Sequence, residues 1–127
     1  YLYNFYAAVD TNKVCPSGWH VPSRWEWEKL IDHLGGESIA GGAMKEKGTY
    51  HWVSSSTGAD NSSGFSALPG GTRGDYNDGR FCFESVLADF WTSEYSSFVR
   101  VVTDNDDIIH NIGTAEISGK SIRCLKD

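Results

Sequence analysis

The chain has 127 residues and a formal charge of −6, with 39 % hydrophobic and 22 % charged residues. That length supports one domain with one core and is short for two, and an acidic balance without any Lys or Arg run excludes an extended basic footprint for nucleic acid. No apolar run approaches the roughly 20 residues of a membrane helix, so direct membrane insertion is not expected. Five Trp, six Tyr and six Phe, with fourteen Gly and only three Pro, predict a core built on rings and loops ordered by packing, in an α+β or mostly β domain.

The opening "YLYNFYAAVD" alternates Tyr1, Tyr3 and Phe5 against Leu2, Asn4 and Tyr6, which predicts a strand buried on at least one face. Its abrupt apolar start suggests a piece of a longer protein. "TNKVCPSGWH" is a turn-rich connector. In "VPSRWEWEKLIDHLGG", Ser23 can cap a helix, Glu26 completes a capping box, and Gly35 and Gly36 supply the stop. Trp27, Leu30, Ile31 and Leu34 share one face of that helix and predict core, with Glu26, Lys29 and Asp32 outside. A second, shorter helix is expected near 40–46, weakened by Gly41 and Gly42.

From "SSSTGADNSSG" to "DYNDG" the composition turns to Ser, Gly, Asn and Asp, a long irregular region pinned by Phe65, Leu68 and Pro69. Strands are expected in "RFCFESVLADFWTSEYSS", in "FVRVVT" and in "KSIRCLKD", the last with Ile122 and Cys124 inward and Ser121 and Arg123 outward. Three cysteines, Cys15, Cys82 and Cys124, allow one bridge with a leftover thiol or three buried thiols.

No enzyme is expected from the side chains. His20, His33, His51 and His110 lack any metal-ligand spacing and read as ordinary polar residues. "DYNDG" and "TDNDD" could offer oxygens to calcium, but neither has the loop pattern with a closing Glu, so turn chemistry is the reading. There is no nucleophile elbow, no Cys or Ser with an evident His partner, and no phosphate loop. No metal or other cofactor is called for.

The segments "LYNFYAAVD", "KVCPSGWHVPSRWEWEKL", "AGGAMKEKGTYHW", "GFSALPGGTR", "FWTSEYSS" and "SIRCLKD", in this order, resemble the Fibrobacter succinogenes major paralogous domain. That family occurs in secreted and surface proteins of Bacteroidetes and relatives and in their phages, and is similar in fold to C-type lectins and the formylglycine-generating enzyme. The resemblance implies a single C-type lectin-like domain over 1–127, the C-terminal part of a longer protein: two helices around a twisted, mainly antiparallel sheet, with long irregular loops. It also implies a Cys15–Cys124 disulfide. The calcium-dependent sugar motifs of C-type lectins and the paired catalytic cysteines of the oxidase are absent, so neither activity is carried over.

The closing stretch is where the resemblance bears on function. Some family members are targets of diversity-generating retroelements, which rewrite adenines in Asn codons of a C-terminal variable repeat. Laid on the family pattern without a gap, Arg100, Val102, Ile109, Gly119, Ile122 and Cys124 fall on fixed positions. Val101, Thr103, Asp106, Ile108, His110, Ile112 and Thr114 fall on Asn positions, and every residue from Val101 to Ala115 is reachable from an Asn codon by changing its first two bases. Strand alternation gives a physical counterpart, since burying Val102 and Ile109 turns Val101, Thr103, Ile108 and His110 outward. Exposed Ile108 and Ile112, rimmed by Asp104, Asp106 and Asp107, would suit a binding patch; the alternative is that Ile108, Ile109 and Ile112 all pack into the core. Tyr95, Ser97 and Phe98 extend the expected face.

These readings together predict a non-catalytic ligand- or receptor-binding module, extracellular, on a cell surface or phage virion, whose partner is a protein or glycan receptor on another cell or particle. A structural or adhesin domain of a surface lipoprotein or pilus-like assembly is the other reading.

Overall fold

The computed structural model describes residues 1–11, 14–53, 58–74, 78–95, 97–102, 108–112 and 115–127, for 102 and 108–112 the backbone alone. Its longest helix, α2 (Arg24–His33), is built as the local signals require. The Ser23 hydroxyl oxygen accepts from the Glu26 backbone N–H (3.3 Å), and the Glu26 carboxylate accepts from the Ser23 N–H (2.8 Å), closing a capping box. Gly35 and Gly36, both at φ near +100°, carry the chain out of the helix in a conformation that only glycine adopts without strain. Trp27 and Ile31 are buried, with Leu30 and Leu34 packed at the edge of the same cluster.

The first ten residues depart from the strand expected of them. Asn4 accepts from the Ala7 N–H (3.0 Å) and caps a short helix, α1 (Phe5–Val9), which buries Phe5 and Ala8. The alternating pattern holds only as far as Tyr3, whose N–H and carbonyl pair with Lys120 at 2.8 and 2.9 Å. Beyond it the three-residue spacing of Phe5 and Ala8 governs. The third helix, α3 (Ala40–Met44), forms despite Gly41 and Gly42 because nearly all of it is buried, so packing overrides propensity. Three helices among the described residues thus replace the expected two.

The strands are short and their pairings antiparallel. β1 (Trp19–His20) pairs with β7 (Leu125–Lys126), and β2 (Thr72–Arg73) with β3 (Phe81–Cys82). β4 (Leu87–Trp91), β5 (Ser97–Val102) and β6 (Ile108–Ile112) form a sheet in the order β4-β5-β6. The result is a mixed α+β domain. The closing strand is shorter than expected, confined to β7, with bridges at Lys120 and Ser121 before it; Ile122 is half-buried against the core and Arg123 exposed. In the irregular region Ala67 and Pro69 are buried and Phe65 packs on the core, whereas Leu68 is 48 % exposed and pins nothing. Gly119 is buried where three segments cross, and a Cβ there would stand 3.0 Å from Arg73 Cβ and 3.2 Å from Leu2 Cβ, so any side chain would force these neighbours apart by a few tenths of an ångström.

β4 and β5 are covered on both faces. Ala88, Phe90, Val99 and Val101 face α2 and α3, joining Trp27, Ile31, Met44 and Trp52, while Trp91 and Phe98 face the other way, onto Phe5 and Ala8. Within this second layer lies Asp89, fully buried. Arg100 grips its carboxylate with two N–H groups at 2.7 and 2.8 Å, and Lys120 Nζ donates to it at 3.2 Å. Lys120 also sits 3.9 Å from the centre of the Phe98 ring. Removing one member of such a buried charge cluster costs about 3–5 kcal/mol. Asp89→Ala should therefore lower the unfolding free energy by about that much in urea titrations, and Asp89→Asn by less.

The two ends of the fold are clasped together. Cys15 and Cys124 form a disulfide with Cα atoms 5.8 Å apart, 109 positions apart in sequence, a closure that chain-entropy arguments put at about 4–5 kcal/mol. Beside it His20 bridges two carboxylates, Asp127 at 2.6 Å from Nδ1 and Glu26 at 3.0 Å from Nε2. The Asp127 hydrogen bond, then that of Glu26, raises the His20 pKa above its usual 6.5. Burial alone would push the Glu26 carboxyl up, but hydrogen bonds from the Ser23 N–H and hydroxyl and from His20 outweigh it and hold the carboxyl low. A raised folded-state pKa gives stability that is fully present below the unfolded value and is lost as pH rises through the folded value. The unfolding free energy of the native chain, from urea titrations, should thus fall relative to that of His20→Gln between pH 6 and 8.5, by about 1 kcal/mol or less because the clasp is partly exposed; parallel curves would show that the clasp contributes nothing.

Candidate functional site

The expected binding face centres on the β5–β6 hairpin. Its register sets Ile108, His110 and Ile112 opposite Val101, Val99 and Ser97. The side chains of Ile108, His110 and Ile112 lie outside the description, and Thr103, Asp104, Asp106 and Thr114 lie outside the described residues altogether.

Three members of the expected face are buried. Val101 is 0 % exposed, and Ser97 and Phe98 are each 5 % exposed. The alternation that set Val101 outward has the opposite phase, because Val101 pairs with Ala88 and packs with Val99 toward α2. Phe98, which alternation then turns to the other face, meets Trp91 edge-on at 6.3 Å under α1. A strand covered on both sides has no outward face to offer.

Tyr95 is placed as expected, 72 % exposed just before β5. Its ring meets Phe5 edge-on at 5.8 Å, and its hydroxyl hydrogen-bonds the Glu116 carboxylate. The Phe5 N–H donates to the Glu116 carbonyl at 2.9 Å, which ties α1 to the segment after β6. Around this point stand Tyr6, 59 % exposed, and Ile117, 58 % exposed. The end of the hairpin therefore carries two tyrosines, one isoleucine and one carboxylate on adjoining segments.

The hydrogen bond to Glu116 raises the Tyr95 pKa, and the same bond lowers that of Glu116. Near neutral pH the pair is a neutral phenol donating to a carboxylate, with both rings and Ile117 free to bury area against a partner. Such a set suits recognition by shape and desolvation, with Tyr among the residues that most often anchor interfaces.

Tyr6, Glu116 and Ile117 lie outside the expected face: Tyr6 sits on a helix where a strand is expected, and Glu116 and Ile117 come to it only through the long-range Phe5–Glu116 contact. The Asn4 cap followed by Phe5 and Ala8 is the signal that could have found α1 and, with it, the outward Tyr6. Nothing local could have joined His20 to Asp127 across the chain. The Cys82 thiol donates weakly to the Thr72 carbonyl (3.6 Å). Among the described residues no three His, Cys, Asp or Glu side chains converge on a metal position, and no helix is long and apolar enough to cross a membrane.

No curated protein and no solved structure shows significant similarity to the chain. Residues 1–126 match the Fibrobacter succinogenes major domain. The family resemblance read from "CPSGWHVPS" and "SALPGG" is thereby placed on nearly the full length, and the chain belongs to the Fibrobacter succinogenes major domain family.

Proposed function

We infer that the chain is a non-catalytic binding module of C-type lectin-like fold, displayed outside the cell or on a phage particle, which recognises a protein or glycan receptor with the end of its C-terminal hairpin. The observation that carries this reading is the exposed Tyr6, Tyr95 and Ile117 around the Tyr95–Glu116 hydrogen bond, mounted where β5 is gripped on both faces. An exposed apolar set on a rigid support forms a pre-organised interface, which lowers the entropy lost on binding. The clasped ends and the long irregular region fit the C-type lectin-like arrangement.

The adjoining segment from Thr103 to Thr114 is the one we assign to retroelement diversification. A scaffold with a covalent clasp and a buried charge cluster tolerates changes at such a segment, since stability is held elsewhere. The reading predicts a near-identical template repeat and a reverse transcriptase beside the encoding gene, with population variants concentrated at adenines of Asn codons over 103–114. Ordinary scattered drift there, without a template, would sink it.

Binding itself is tested with the labelled domain on receptor-bearing cells. Tyr95→Ala, Tyr6→Ser and Ile117→Ser should each weaken binding about tenfold or more while the melting temperature moves by only about a few degrees. Unchanged binding in all three variants would overturn the display reading. Val101, Ser97 and Phe98 are left out of the series because they are buried.

One observation favours the second reading, a packing domain of a surface lipoprotein or pilus-like assembly. Phe81 (63 % exposed) and Phe83 (49 %) stand out at β3, and Phe83 holds a left-handed φ of +60°, a conformation bulky residues keep only under constraint. That reading predicts that Phe81→Ser and Phe83→Ser break assembly and leave receptor binding unchanged.

A further inference from the structure

Three core tryptophans differ in how their indole N–H groups are satisfied. Trp52 donates to the Ala67 carbonyl at 3.2 Å and Trp91 to the Tyr3 carbonyl at 2.8 Å. Trp27, only 2 % exposed, has no acceptor for Nε1 among the described residues. A buried donor without a partner is a real cost, against which most buried polar groups in folded proteins are satisfied.

Trp27 is also a wall of a cleft of about 270 Å³ between α2 and the C-terminal segment. Pro22, Leu30, Phe65, Arg123 and Leu125 form other parts of it, so the lining is mainly apolar. The cationic group there is already engaged. Arg123 lies over the Phe65 ring at 4.5 Å and donates to the Phe65 carbonyl at 3.0 Å. Glu26, which also borders the cleft, spends both carboxylate oxygens on Ser23 and His20, and its negative charge opposes an anionic occupant.

We propose that this cleft binds a small, mainly apolar, uncharged molecule bearing a carbonyl oxygen, which accepts from Trp27 Nε1 while its hydrocarbon body lies against Leu30, Phe65 and Leu125. The volume is at the lower edge of the roughly 300–1,000 Å³ of small-molecule sites, so the ligand is small. The indole nitrogen is sealed by the side chains around it. Admitting the carbonyl therefore requires the cleft wall to move, and the lining includes Leu30, half-buried, and Leu125, 41 % exposed, side chains whose rotamers change fast. The site is separate from the hairpin face and stands or falls without it.

Two probes of matched shape decide the matter: acetophenone, which has the carbonyl, and cumene, which replaces it with a methine and methyl. Each is titrated into the ¹⁵N-labelled chain while the three buried indole N–H resonances are followed. Acetophenone should shift the Trp27 resonance downfield saturably, leave those of Trp52 and Trp91 in place, and bind about fivefold or more tighter than cumene. Trp27→Phe should bring acetophenone to the affinity of cumene, and Leu125→Trp, a change at a partly exposed site, should abolish binding of both. Equal affinities for the two probes, no saturable shift, or a Trp27 resonance already as far downfield in the free protein as those of Trp52 and Trp91 would each overturn the proposal. If Trp27→Phe does not fold, the probe comparison and Leu125→Trp still decide it.

Discussion

The carboxylate of Asp89 is where the separate parts of the chain are made to agree. It comes from the middle of β4, takes a two-pronged grip from Arg100 on β5, and receives Lys120 from the segment that pairs with Tyr3 near the N-terminus. An acid buried this completely is tolerated only if its oxygens are satisfied by cations and hydrogen bonds. Each of those donors arrives only if its own segment is in register. Ser121 then reaches β4 through hydrogen bonds with the backbone of Asp89 and Trp91, at 2.8 and 3.0 Å, and the Gly119 crossing holds Arg73 close. The two-stranded β2–β3 sheet, the β4-β5-β6 sheet and the N-terminal segment are joined through this point.

With the charge cluster in place, the two apolar layers on either side of β4 and β5 follow from ring packing. On the α2 side, Trp27, Phe65 and Phe90 contact one another with centroids 5.5 to 5.7 Å apart. On the other side Trp91 takes Phe5 and Phe98 edge-on. Aromatic edges of this kind add to the area they bury. Seven of the chain's seventeen aromatic residues fill these two layers: Trp27, Trp52, Phe65 and Phe90 on one side, and Phe5, Trp91 and Phe98 on the other.

How much could be read from the amino acids depended on how far each signal reached. α2 was legible because its cap, its spacing and its stop all lie within a short stretch and agree with one another. The disulfide was legible only through family likeness, since nothing near Cys15 or Cys124 chooses between a bridge and buried thiols. β5 was misread in phase. The expected phase came from setting Val102 on a fixed position of the family pattern; instead Val99 and Val101 take the core face, Arg100 is held by Asp89 on the neighbouring strand, and the face it shares with Phe98 is roofed by α1. Neither fact is local. The N-terminus was misread because two periods overlap there, the strand period through Tyr3 and the helix period from Phe5 onward.

The placement of the disulfide has a mechanical consequence. The covalent loop runs from Cys15 to Cys124, so tension applied between residue 1 and residue 127 passes around the 109-position loop without stretching it. The load falls on what lies outside it: the Tyr3–Lys120 pair, the Phe5–Glu116 hydrogen bond and the seat of α1 on Trp91 and Phe98. Under force this segment would peel first, as a local unit with its own low opening energy, and the rest of the domain would stay folded behind the bond. The Tyr6 and Tyr95 neighbourhood would come apart in the same step. On the proposed function, a partner held at that patch would then be released by pulling along the chain without the rest of the domain unfolding.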